Sequence, residues 1–138
     1  MVGTHARRKP RAPIYVSVIS ANPETLDGLH AYLSGAGIPS HTTRAIQDFA
    51  MVAPDCATAA VIFPDDFDVE AVRSLLRKLR RARPRLLSLI VTREPQRFHD
   101  AAQADGRSLP PIILPKPSFG WDILDAIRSH EPAERARI

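Results

Sequence analysis

Short apolar runs alternate with amphipathic stretches along most of the chain. Ile14-Tyr15-Val16-Ser17-Val18-Ile19 is apolar, β-branched and non-alternating, the pattern of a strand buried on both faces. Asn22-Pro23-Glu24 follows: a capping side chain, a proline suited to the first helical turn, and an acid at the positive end of the helix dipole. Leu26, Leu29 and Leu33 then recur at helical spacing, and Gly35 or Gly37 ends the helix. Residues 38–43 predict a weak strand and residues 46–52 a short helix. Ala59-Ala60-Val61-Ile62-Phe63 predicts the next strand, closed by Pro64. Asp68 is placed to cap a helix with Val69, Val72, Leu75, Leu76 and Leu79 on one side and Pro84 as its stop. Residues 86–92 predict a strand, 95–104 a short helix, and 111–114 a last strand. Ser118 is placed to cap a final helix carrying Trp121, Leu124 and Ile127.

Apolar strands followed by amphipathic helices imply an α/β fold, a parallel sheet covered by helices on both faces. Right-handed crossovers favour a doubly wound five-stranded sheet of order 2-1-3-4-5. In such sheets the functional crevice lies beyond the carboxyl ends of the strands. Those ends are Ser20-Ala21-Asn22, Pro64-Asp65-Asp66, Thr92-Arg93-Glu94 and Pro115-Lys116-Pro117.

Length and composition fit one domain: 138 residues, 44% apolar and 25% charged. The expected division is a basic tail over 1–12, a folded domain over 13–130 and a polar tail over 131–138. No apolar run approaches the roughly 20 residues that span a bilayer, so no membrane contact is expected and the chain reads as cytoplasmic. The lone Cys56 excludes an internal disulfide or a multi-cysteine zinc site, and is read as a small buried thiol. The five histidines have no metal-ligand spacing, so no metal or other cofactor is expected. The net charge of +4 is uneven. Arg7, Arg8, Lys9 and Arg11 precede the first acid, Glu24; without those four of the 19 Lys and Arg, 15 remain against 15 acids.

The loop residues carry a resemblance. Leu114-Pro115-Lys116-Pro117, Leu89-Ile90-Val91-Thr92 and the opening Val18-Ile19-Ser20-Ala21-Asn22-Pro23-Glu24, in this order and spacing, resemble the receiver domain of two-component response regulators over about residues 14–130. The resemblance implies a receiver-like, flavodoxin-like fold. It implies a pocket in which an acidic pair and a phosphoacceptor aspartate bind magnesium, while a Thr or Ser and a Lys contact the phosphoryl oxygens. Thr92 matches the hydroxyl position, and Lys116 with Pro117 the lysine position; a cis Lys116–Pro117 bond is implied as well. The acidic pair falls on Ser20 and Ala21, and the acceptor on Phe63 or Pro64, none of which is acidic. Without an anionic cage magnesium binds poorly, and phosphoryl transfer loses its electrostatic support. The pocket therefore reads as vestigial, and no residue is assigned a catalytic role.

The expected function is that of a stand-alone pseudo-receiver, a protein-interaction module of bacterial signalling that is not an enzyme and needs no aspartyl phosphate. A protein partner, or a second copy, would dock on the face of the fourth helix, fifth strand and fifth helix, around Phe98, His99, Trp121 and Arg128. Trp121 reads more readily as core than as an exposed anchor. Lys116 is read first as a structural cation, pinning two loops by reaching Asp65 or Asp66. The alternative is a phosphoryl-accepting regulator that uses Asp65 or Asp66 as a displaced acceptor. A third reading is a nucleic-acid accessory protein, binding through the basic tail and the Arg73, Arg77, Lys78, Arg80, Arg81, Arg83 and Arg85 stripe.

Overall fold

The computed structural model describes residues 14–46 and 57–136, with side chains only as far as Ser129. The expectations for the basic tail, for the helix over 46–52 beyond its first residue, and for Cys56 fall outside the described residues. Within them, four apolar runs and the polar segment Ser40–Thr43 form five parallel strands: β1 (Val16–Ile19), β2 (Ser40–Thr43), β3 (Ala59–Ile62), β4 (Leu87–Thr92) and β5 (Ile112–Pro115). Their order is 2-1-3-4-5, as the pattern predicts. Among the described residues, three α-helices accompany them: α1 (Pro23–Gly35), α2 (Val69–Ala82) and α3 (Gly120–Ala136). No helix among the described residues is long and apolar enough to cross a membrane.

The period-2 geometry of the strands divides the core. Val16, Val18, Val61, Leu89 and Val91 face α1 and α3, packing with Leu26, Leu29, Leu33, Ile123, Leu124 and Ile127. Ile19, Ala60, Ile62 and Ile90 face the other way, onto Val72, Leu75, Leu76 and Leu79 of α2. Two-sided burial explains why β1, β3 and β4 show no polar alternation, while β2 and β5, at the edges of the sheet, are only partly buried.

The caps agree with the sequence in two helices and depart from it in the third. Asn22 accepts from the Glu24 and Thr25 amides at 2.8 and 3.3 Å, and Asp68 accepts from the Ala71 amide at 3.1 Å. Gly37, at φ 79°, supplies the left-handed turn after α1. Ser118, however, does not cap α3. Its hydroxyl donates to the Pro115 carbonyl at 2.7 Å, while Asp122 reaches back to accept from the Phe119 amide at 2.8 Å. That is the returning half of a capping box, with Phe119 as the boundary residue. The helix then runs on to Ala136, past the boundary expected at residue 130. Polar composition does not end a helix: the backbone stays helical through Pro132, and Glu131, Ala133, Glu134, Arg135 and Ala136 around it are favourable helix formers.

Residues 95–104 form two short 3₁₀ turns, Pro95–Phe98 and Asp100–Ala102, instead of the expected helix. The reason lies in α2. Arg73 donates to the Arg97 carbonyl, and Arg80 donates to the carbonyls of Ala101 and Gln103 at 2.8 and 2.7 Å. Arg80 also donates to Ser108 Oγ at 2.9 Å and lies 3.5 Å from Asp105. Carbonyls that a helix would satisfy internally are taken by guanidinium groups from the side. Two members of the predicted basic stripe thus serve as internal staples, and Arg83 similarly donates to the Ala57 carbonyl at 2.8 Å. Replacing Arg80 with Met, which keeps the apolar stem, should lower stability by about 1 kcal/mol, since the part-buried Ala101 carbonyl and the exposed Gln103 carbonyl lose a charged donor. Chemical denaturation of the two proteins measures the difference.

Candidate functional site

The register of the parallel strands decides which loops meet. Ile62 of β3 pairs with Ile90 of β4, and β4 continues two residues further, to Thr92. The chain leaving β3 turns at once through the 3₁₀ segment Pro64–Asp66, which keeps Asp65 level with Thr92. On the other side, Thr92 pairs with Pro115, and the Lys116 amide donates to the Thr92 carbonyl at 3.0 Å. Three loops therefore converge on one carboxylate.

Asp65 Oδ1 accepts from the Thr92 hydroxyl at 2.6 Å. Its Oδ2 accepts from the Arg93 amide at 3.1 Å and lies 3.1 Å from Lys116 Nζ. The Arg93 guanidinium, itself mostly exposed, is 3.6 Å from the same oxygen. The Asp65 side chain is only 12% exposed and that of Lys116 28%. Thr92 is fully buried, and its hydroxyl also accepts from the Glu94 amide at 3.0 Å. Burial pushes the Asp65 carboxyl up, but the Thr92 and Arg93 hydrogen bonds and the Lys116 ammonium together outweigh it. The carboxyl is held below the ordinary aspartate range.

At the positions where the resemblance looks for acids, the loop residues carry no charge. Ser20 is buried, and its hydroxyl accepts from the Asn22 amide at 3.1 Å, closing a local turn. Ala21 offers no ligand. Phe63 is buried, with Lys116 Nζ 5.8 Å from the centre of its ring, a cation–π contact. Pro64 is buried and Asp66 exposed. The Lys116–Pro117 peptide is cis. A cavity of about 180 Å3 opens beside Asp65, lined also by Thr92, Arg93, Glu94, Arg97 and Phe98. Among the described residues, no three His, Cys, Asp or Glu side chains are grouped to hold a metal ion. A magnesium ion does not fit this donor set: it needs several free oxygen ligands, whereas both oxygens of Asp65 are engaged and the other carboxylate lining the cavity, Glu94, is paired with Arg97.

The four residues expected at a docking face separate. Phe98 is buried against α2 and β4, because its 3₁₀ turn points the ring into the core, so it cannot anchor a partner. His99 and Arg128 are exposed. Trp121 is 54% exposed, against the expectation of burial, and stacks on Phe119 with ring centres 4.6 Å apart. Leu124 and Ile127 fill the buried stripe of α3, while Trp121, Asp125 and Arg128 fall on an outer line at helical spacing. Phe119, itself 52% exposed, escapes a reading from periodicity because it stands just before the helix.

Replacing Asp65 with Ala leaves a half-buried ammonium and a buried hydroxyl without their acceptor. This should cost about 1–3 kcal/mol at neutral pH. The folded carboxyl is depressed, so its stabilisation is complete above the unfolded value of about 3.9 and is lost as pH falls through the lower folded value. The gap between wild type and Asp65→Ala, measured by urea unfolding, should be constant from pH 7 to 5 and close below about pH 4.

No protein-family model and no curated protein matches the sequence. Solved structures do. A CheY-like response regulator receiver domain from Methanospirillum hungatei JF-1 superposes with a TM-score of 0.71 at 17% identity, over 91% of this chain and 99% of that one. A receiver domain from Clostridium thermocellum gives 0.69 at 16% identity, over 91% and 99%. The signal receiver domain of an HD domain-containing protein from Pseudomonas fluorescens Pf-5 gives 0.69 at 19% identity, over 94% and 97%. With its sheet order, its helices on both faces and these likenesses over almost whole domains, the chain has the fold of a response regulator receiver domain.

Proposed function

We propose that the chain is a receiver-like signalling module that works by docking to another protein, and that its own Asp65 takes the place a phosphoryl group would fill. The observation that carries this reading is the Asp65 carboxylate bridging Thr92 at 2.6 Å and Lys116 at 3.1 Å. These are the two positions that, by the receiver resemblance, would contact phosphoryl oxygens. Here an anion is attached to the chain already, in hydrogen-bonding distance of both.

Two physical consequences support a role without phosphorylation. A carboxylate whose two oxygens accept from a hydroxyl, an amide and an ammonium has its lone pairs directed at those donors and is a weak nucleophile. Phosphoryl transfer also depends on cations at the transferring group, and the side chains of Ser20, Ala21, Phe63 and Pro64 supply no anionic ligand for one. A two-state switch moves only when a ligand has different affinities for the two states. With a resident anion in the pocket, the module is held in one state and recognition falls to a constant surface. The exposed pair Phe119 and Trp121, with Arg128 on the same outer line of α3, is the surface assigned to the partner.

Incubation with acetyl phosphate and magnesium should leave the intact mass unchanged. Gain of one phosphoryl group, abolished by Asp65→Asn or Asp66→Asn, would overturn the reading in favour of a displaced acceptor.

A further inference from the structure

A second surface carries a charge arrangement that the fold does not use. The outer side of α2 ends in a recess of about 420 Å3 against the loop before β5, lined by Arg77, Arg80, Arg81, Pro84, Asp105 and Arg107. It shares no lining residue with the cavities around Asp65 and Lys116. Four guanidinium groups thus meet one carboxylate.

That carboxylate is already satisfied. Asp105 Oδ1 accepts from the Arg107 and Ser108 amides, both at 2.8 Å, and Ser108 Oγ lies 3.1 and 3.0 Å from its two oxygens. Arg80 stands 3.5 Å away. The two amide bonds, with Ser108 and Arg80 behind them, lower the Asp105 carboxyl to about 2, so it is ionised throughout the physiological range. The same turn, with Gly106 at φ 74°, presents Arg107 to the recess. Arg80 is fixed beneath by the loop carbonyls and Ser108.

Arg77, Arg81 and Arg107 remain. All three are exposed, and among the described residues none has an acidic partner. Arg77 and Arg81 stand four apart on one helix, a spacing at which like charges repel. An anion in the recess would relieve that repulsion and meet forked donors suited to carboxylates.

We propose that this recess binds an acidic segment of a protein partner, through carboxylates paired with Arg77, Arg81 and Arg107. Two features favour an acidic polypeptide over nucleic acid. No aromatic ring lines the recess to stack a base, and the guanidiniums converge on one hollow instead of tracking a backbone. The proposal goes beyond the Asp65 reading and stands independently of it.

The test is fluorescence anisotropy of a labelled polyglutamate peptide titrated with the full chain. Arg77→Glu/Arg81→Glu should weaken binding about tenfold or more, the scale of lost charge-assisted contacts. Lys78→Glu, an equally exposed reversal on the same helix but outside the recess, should change it little. Arg107→Glu, on the exposed turn, should reproduce the loss without altering α2. Equal weakening by Lys78→Glu would mean diffuse attraction to a basic surface and overturn the proposal. So would tighter binding of a DNA duplex of matched charge with the same variant dependence, which would make the recess a nucleic-acid surface.

Discussion

A single buried carboxylate holds the carboxyl end of the sheet together. Asp65 joins the loop after β3 to Thr92 at the end of β4 and to Lys116 after β5. Each partner alone would be costly at that depth: a buried hydroxyl, a half-buried ammonium and a largely buried carboxylate all need counterparts. Together they satisfy one another. Lys116 also lies over Phe63, so the fourth member of the cluster is an aromatic ring where the receiver resemblance would lead one to look for an acid. The charge balance of the crevice is therefore internal.

The rest of the fold serves this convergence. The extra length of β4 and the 3₁₀ turn at Pro64–Asp66 bring Asp65 and Thr92 level. The helix α2 is clamped over the following loop by Arg73 and Arg80, which steadies the backbone that carries Arg93 and Glu94. Among the described residues, two exposed surfaces stand apart from this pocket. One is aromatic, at the start of α3; the other is cationic, at the end of α2.

Most of the fold was legible in the sequence, because strands buried on both faces leave continuous apolar runs and capped helices leave Asn22, Pro23 and Asp68. The order of loops was legible too, and with it the meeting of Thr92, Lys116 and the Pro64-Asp65-Asp66 turn. What a linear pattern could not show was which acid would point inward: Asp65 is mostly buried and Asp66 exposed, a choice made by the 3₁₀ turn. Phe98 and Trp121 exchanged their expected places for a similar reason. Phe98 sits in an irregular turn with no period to place it, and Trp121 lies off the stripe set by Leu124 and Ile127. The arginine staples were hidden because their acceptors are backbone carbonyls some 21 to 24 residues away. Side-chain spacing on α2 reads all its arginines as one solvated face, and only the tertiary contacts separate the fixed ones from the free.

The central claim is that Asp65 is the resident anion of the Thr92–Lys116 pocket. Carbon-detected NMR titration of the Asp65 carboxyl, in the wild-type chain and in Lys116→Met, tests it most directly. The account predicts a wild-type midpoint below the ordinary aspartate value of about 3.9 and a rise towards or past it in Lys116→Met. A wild-type midpoint at or above the ordinary value, unmoved by the loss of Lys116, would contradict it.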